Sequence, residues 1–288
     1  MKPVDFDYEV ATTVEEALAC ACEAPQARYL AGGQSLVPLM NMRLVRPTRL
    51  IDVNGIAELA RLELANGQLH IGATVRHRTL EQSPVVRAAA PLLSRAAEHI
   101  GYVAVRNRGT IGGSLVHGDP TAELPLVAVA MEARVIVAAR SGSRREVAAA
   151  QFFHRPFQPH LTPGELVTEV IVPAIGRRDC WRFGEISRRL NDPALAAAAL
   201  GLVNGRVRVA IGGVEGVPRR LTEVEDWLST GDRWMTIDRQ TVMARVCTVL
   251  TPMLHTIHGS GPYRMQLAGN LIGQLLEELR DPDADPND

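Results

Sequence analysis

The 288-residue chain is 46% hydrophobic and 22% charged, ordinary globular proportions that exclude a disordered chain or a coiled coil; at about 150 residues per domain, its length predicts two domains or one large subdivided one. Its 31 lysines and arginines face 32 acidic residues, a formal charge of -1, which leaves no overall positive field to hold a nucleic-acid backbone or an anionic membrane. Lys2 is the only lysine, so a P-loop lysine, a protein-kinase lysine and a pyridoxal Schiff base all lack the internal ammonium group they require.

Met1 to Asp7 carries Asp5 and Asp7 where a secretory leader would need an apolar run. Thr13 and Glu16 form a capping-box pattern ahead of Val14, Ala17, Leu18 and Ala21, which predicts a helix. Cys20 and Cys22 fall inside that helix and point apart, without the spacing of a zinc knuckle or an iron-sulfur site. With Cys180 and Cys247 they are too few and too scattered to staple the chain, which fits a reducing, cytoplasmic compartment. A short strand, Tyr29 to Ala31, then runs into Gly32-Gly33. Leu62 and Leu64 before Asn66-Gly67, with Leu69 and Ile71 after it, predict a hairpin, because both turn residues tolerate positive φ.

Residues 87–99 read as one alanine-rich helix, and a short apolar piece after Gly101 ends in Arg106-Asn107-Arg108-Gly109. Thr110 to Ser114 is a second glycine loop, and the apolar run Leu124 to Met131 is predicted helical. Strands are expected at Arg134 to Ala139 and Leu166 to Val172, with a boundary at Pro173. Val207, Val209 and Ile211 alternate with Arg206, Arg208 and Ala210, a half-exposed antiparallel strand that ends in the turn Gly212 to Gly216. Thr222 and Glu225 form another capping-box pattern, and Leu267, Leu271, Leu275 and Leu279 lie one helical turn apart. The uncharged stretch Val246 to Tyr263 is interrupted by Pro252, Gly259 and Pro262 and is not a membrane span. Residues 281–288 alternate acid, proline and asparagine and should fray.

The two glycine loops, Gly32-Gly33-Gln34-Ser35 and Thr110-Ile111-Gly112-Gly113-Ser114, share one form: paired glycines followed by small polar side chains. Paired glycines let amides converge and let a ligand approach without obstruction by Cβ, the pattern of an anion-binding nest. Either loop alone is also an ordinary tight turn; two of the same form suggest two jaws on one dinucleotide. With no lysine available, a pyrophosphate would be held by amides, by the Ser35, Thr110 and Ser114 hydroxyls, and by arginine. Neither loop spells Gly-x-Gly-x-x-Gly, so the nicotinamide fingerprint is absent.

Ala31 to Leu36, Leu39-Met40, Arg43-Leu44, Ile51-Asp52, Ile71-Gly72-Ala73, and the run Arg106 to Leu115 followed by Asp119-Pro120 and Glu123-Leu124-Pro125 together resemble a known family. It is the FAD-binding medium subunit of molybdenum hydroxylases, which includes carbon monoxide dehydrogenase, quinoline oxidoreductase and the flavin domain of xanthine dehydrogenase. The resemblance covers essentially the whole chain, with Ala210 to Val214 and Tyr263-Arg264 in the C-terminal part. It implies an α+β fold: a two-lobed flavin-binding unit of the vanillyl-alcohol-oxidase and p-cresol-methylhydroxylase type, plus a smaller C-terminal α+β domain with a three-stranded antiparallel sheet and helices. The implied division is a lobe over 1–55, a second over 56–175, a C-terminal domain over 176–280 and a tail over 281–288.

The resemblance further implies that Ala31, Gly32, Gly33, Gln34 and Ser35, with Thr110, Ile111, Gly112, Gly113 and Ser114, grip the FAD pyrophosphate, and that Leu36, Asp119 and Glu123 lie on the ribityl or adenosine side. The family pattern is departed from at Ser114, commonly asparagine, and at Asn191-Asp192-Pro193, often Gly-Asp and an aromatic. Phe183 to Ser187 lacks the lysine many relatives carry, leaving Arg188 or Arg189 to supply any cation beside the reduced flavin. An iron-sulfur centre needs about four suitably spaced cysteines and a molybdenum site a larger scaffold, so both are expected in partners: a large molybdopterin subunit and a small iron-sulfur subunit, assembled as a dimer of heterotrimers. FAD here would collect electrons and pass them to an external acceptor, with no catalytic acid, base or nucleophile required of the chain. The alternatives are a self-contained FAD-dependent reductase using NAD(P)H and a flavin-free scaffold or maturation protein. His117, Asp119 and Glu123 are read as loop residues and no metal is assigned; His77 and His99 are read as helix-end or surface residues, and Trp181, Trp227 and Trp234 as core or interface anchors.

Overall fold

A computed structural model of the chain describes residues 2–24 and 26–281, so all of the expected tail but Asp281 lies outside the described residues. The first sheet is parallel, in the order β1 (Asp7–Val10), β3 (Arg49–Asp52), β2 (Arg28–Leu30). Its crossovers are α1 (Val14–Glu23) and α2 (Leu36–Asn41). Thr13 caps α1 by accepting from the Glu16 amide at 3.1 Å, while the Glu16 carboxylate accepts from Thr12, not Thr13. The core of this unit joins Ala11, Val14, Leu18, Ile51 and Val53 to Ile56 and Leu59, the latter in a 3-10 turn, Ala57–Ala60.

The second sheet is antiparallel. It contains the hairpin β4 (Leu62–Ala65) and β5 (Gln68–Gly72), formed around Asn66 and Gly67 in the left-handed region as expected. Four helices follow: α3 (His77–Gln82), α4 (Pro84–Ala89), α5 (Pro91–His99) and α6 (Val103–Arg106). The single helix expected over 87–99 is therefore two, because Pro91 has no amide to donate and Ala90 adopts φ -145° to break the axis. Next come α7 (Ile111–His117) and α8 (Glu123–Ala130), then β6 (Arg134–Ala138), β7 (Arg144–Ala148), α9 (Ala149–Phe152) and a small pair, β8 (Phe153–Arg155) and β9 (Gln158–Pro159). The long strand β10 (Leu166–Pro173) closes the sheet in the order β4-β5-β10-β6-β7. Leu124 to Ala130 are all buried, so α8 is apolar on every side, and it packs between α5 and the third sheet.

The third sheet is antiparallel: β11 (Cys180–Ile186), β12 (Ala196–Val203), β13 (Arg206–Gly212) and β14 (Arg219–Arg220). Its three long strands match the expected sheet; the expected turn after β13 is present, and β14 beyond it adds a two-residue edge strand. The helices α10 (Thr222–Ser229), α11 (Arg239–Val249) and α12 (Gly261–Arg280) cover it, with Leu271, Leu275 and Leu279 of α12 buried. The capping box expected at Thr222 and Glu225 does not form. Glu225 is 3% exposed and accepts instead from the Val209 amide at 3.0 Å and from Arg220 and Arg208, so strand pairing outbids the local helix cap. Trp181 is buried, and Trp227 and Trp234 pack on the third core.

Candidate FAD-binding site

The first glycine loop follows β2, and Gly33 takes φ +71°, a conformation that suits glycine. Val37 donates from its amide to the Gly33 carbonyl at 3.0 Å, and the chain continues into α2. Among the described residues, no group of the chain accepts from the amides of Gly32, Gly33, Gln34 or Ser35. Gly32 is buried, and an unpaired buried amide is costly unless something meets it.

The second loop lies directly against the first. A Cβ built on Gly32 would sit 2.8 Å from the Cα of Gly109 and closer still to the Arg108 carbonyl oxygen. Thus the structure brings Gly32 of the first loop against Arg108 and Gly109, immediately before Thr110. Arg106 secures that start: it is buried, pairs with Glu81 at 2.8 Å and donates to the carbonyls of Ile100 and Gly101 at 3.1 and 2.8 Å.

The amides of the second loop, unlike those of the first, are taken. Ile111 donates to Val75 at 3.1 Å, Gly112 to Ala73 at 2.9 Å and Ser114 to Thr110 at 3.0 Å, while Gly113 donates to the Thr110 hydroxyl at 3.1 Å. The expectation that both loops present converging amides is corrected here: α7 and the 73–77 segment consume those of the second, and its contribution is a close-fitting wall. Gly112 supplies closeness to the core, since a Cβ there would lie 2.6 Å from that of Ala73. Gly113 is exposed and Ser114 half-buried at the open side of the wall. A buried glycine facing backbone, four unpaired amides and an absence of Cβ atoms between them suit a diphosphate carried by FAD.

Asp119 is engaged locally, accepting from the Thr121 amide and hydroxyl at 2.8 and 2.7 Å. Glu123 opens α8, and its carboxyl is pushed up to about 8, first by burial and then by the neighbouring Glu185 and Asp119 charges. Glu185 lies on β11 with its side chain 7% exposed and His99 Nδ1 at 3.5 Å. Gly213, in the turn to which no role was given, donates its amide to the Pro120 carbonyl at 2.8 Å and so seats the 119–123 segment on the third sheet. Arg264 holds Gly213 in turn, donating to its carbonyl at 2.9 Å and to those of Leu195 and Ala194 at 2.9 and 3.3 Å.

His77 begins α3, the helix-end place expected of it, and is buried there at 6% exposure; it packs on Gly109, and burial lowers its pKa to about 4. Arg188 and Arg189 are both exposed, and Arg188 lies 2.5 Å from His258. Arg76 and Asn54, neither of which the sequence singled out, join the two loops; no local motif marks them. Among the described residues no three His, Cys, Asp or Glu side chains are grouped to hold a metal.

With this geometry established, comparison with known proteins places the chain. Residues 4–175 match the family described as FAD binding domain in molybdopterin dehydrogenase, and residues 181–279 match the CO dehydrogenase flavoprotein C-terminal domain. The chain belongs to the FAD-binding medium-subunit family of molybdenum hydroxylases. It is 36% identical over 286 residues to the 6-hydroxypseudooxynicotine dehydrogenase complex subunit alpha of Paenarthrobacter nicotinovorans, covering 96% of this chain and 95% of that one. It is 31% identical over 282 residues to the carbon monoxide dehydrogenase medium chain of Hydrogenophaga pseudoflava, covering 96% and 97%. A crystal structure of quinoline 2-oxidoreductase from Pseudomonas putida 86 superposes with a TM-score of 0.90 at 32% identity, over 99% of this chain and 100% of that one. The medium-subunit fold and its FAD-binding domain therefore account for the whole described chain, as an oxidoreductase component.

Proposed function

We propose that this chain is the FAD-carrying electron-transfer subunit of a heteromeric molybdenum hydroxylase. In that assembly a small iron-sulfur subunit would deliver electrons and a large molybdopterin subunit would oxidise the substrate, as a cytoplasmic dimer of heterotrimers. The single observation that supports this reading most is the unpaired amide row of Gly32 to Ser35, with Gly32 pressed against the Arg108–Gly109 backbone. In the proposed division, the lobes 1–55 and 56–175 supply one loop each, and the domain 176–280 supports the 119–123 segment through Gly213. The four cysteines are all free, which agrees with a reducing compartment. Among the described residues no helix is long and apolar enough to cross a membrane.

In this reading the first loop binds the diphosphate through amides, and Ser35 and Ser114 lie beside it with their hydroxyls. The second loop excludes water from one side. Leu36, Asp119 and Glu123 lie on the ribityl or adenosine side, with Glu123 protonated near neutral pH and able to donate a hydrogen bond. FAD, when bound, supplies the exchange between one- and two-electron transfer, and the chain's task is to hold and tune it.

The test is co-expression with the neighbouring open reading frames, followed by identification of every bound cofactor and chain. Co-purification with two further chains, with FAD retained by this one, is the expected result. A lone yellow chain that oxidises NAD(P)H would overturn the subunit reading, and a colourless chain after gentle purification would overturn the flavin reading.

A further inference from the structure

Arg76 is fastened to the second loop by its own backbone neighbours. The His77 amide donates to the Gly109 carbonyl at 3.0 Å, and the Ile111 amide to the Val75 carbonyl at 3.1 Å, so Arg76 and Thr110 face each other as an antiparallel bridge. Its guanidinium reaches away from that bridge. One nitrogen donates to the Arg108 carbonyl, the same oxygen that Gly32 presses on, and Nη2 donates to Asn54 Oδ1 at 2.7 Å. Asn54 completes the crossing, because its Nδ2 donates to the carbonyls of Ala31 and Leu30 at 2.9 and 3.3 Å, the residues that enter the first loop. Asp52 holds Asn54 from behind, accepting from its amide at 2.8 Å and from its Nδ2 at 2.6 Å, and itself accepts from Tyr8.

We propose that Arg76 is a positioning residue for the cofactor: acting through Asn54, it sets the separation of the two glycine loops and thereby how tightly the chain holds flavin. This rests on the FAD reading above. A planar guanidinium addresses a carbonyl and an amide oxygen at once from fixed directions, which a single ammonium does not. Burial and the nearby Arg108 charge lower the Arg76 pKa, partly offset by the Asp52 charge. An arginine kept there must be offset by what it joins, and what it joins is one loop to the other.

The experiment uses the full chain, stripped of flavin, as wild type, R76Q, N54A and the double variant. FAD is titrated by its fluorescence, and backbone hydrogen exchange is read over residues 28–36 and 106–114 without flavin. Each single variant is expected to raise the FAD Kd about tenfold, the order for losing a charge-assisted hydrogen bond. The double variant should be no worse than the weaker single, because both break one chain of contacts. Exchange should accelerate in both loops together, which a residue supporting only its own lobe would not cause. Unchanged affinity in the singles, additive losses in the double, or exchange confined to 106–114 would overturn the inference. Should R76Q fail to fold, N54A retains Arg76 and decides alone: wild-type affinity and exchange in N54A reject the latch. If the wild-type chain takes up no FAD, the flavin reading fails instead, and the exchange data still decide the latch.

Discussion

Gly32 lies so close to the backbone at Arg108 that no side chain fits between them: a Cβ on Gly32 would be 2.8 Å from the Cα of Gly109. G32A should therefore push the loops apart and abolish FAD retention while leaving each sheet intact, measured by absorbance of the purified flavin and by circular dichroism. G112A should act differently. Its Cβ would meet Ala73 at 2.6 Å inside the core, and overpacking of this kind costs about 1–3 kcal/mol, visible as a lowered thermal midpoint even without flavin.

Glu123 gives a pH dependence of defined sign. Its carboxyl is raised from 4.5 to about 8 in the folded chain, by burial first and by Glu185 and Asp119 next. The folded state then binds more protons than the unfolded one between those values, so stability falls as pH rises through that window. Urea unfolding of the flavin-free chain at several pH values should show this decline, and E123Q should flatten it. An equally steep decline in E123Q would assign the effect to another group.

His77 has the opposite behaviour. Burial lowers its pKa from 6.5 to about 4, so the unfolded chain binds the extra proton in that range and stability is lost as pH falls through it. H77F keeps a ring beside Gly109 and removes the titrating group. The variant should be less sensitive to acid between pH 6.5 and 4, read by urea unfolding at several pH values. Glu165, lowered to about 2 mainly by Arg145, loses its contribution only below 4.5 and is separable on that ground.

Arg264 is 3% exposed and donates to three carbonyls and to the Thr256 hydroxyl. R264A leaves the three carbonyls, on buried Ala194, Leu195 and Gly213, without this donor, at about 1–3 kcal/mol for each, so a loss of at least about 3 kcal/mol is expected in chemical denaturation. R264K should recover part of it, since an ammonium reaches some but not all of the acceptors. A loss below about 1 kcal/mol in R264A would show that water replaces the guanidinium.

The residues alone determined what depends on short spacings. Thr13 starts a helix, Asn66-Gly67 turns a hairpin, and the ordered motifs of the medium-subunit family were legible despite the departures at Ser114 and Asn191 to Pro193; the second glycine pair, read as a loop, forms the first turn of α7. The tertiary structure decided which of the two loops keeps its amides available, since Val75 and Ala73 take those of Ile111 and Gly112 from a neighbouring segment. It also decided that Glu225 serves strand β13 and Arg220 and not a helix cap, and that Arg76 reaches Asn54 across 22 positions of sequence. A cap or a turn is set by φ and ψ over a few residues. A hydrogen bond between distant segments exists only once packing has brought donor and acceptor together, and it then overrides the local alternative because a buried unpaired polar group costs more.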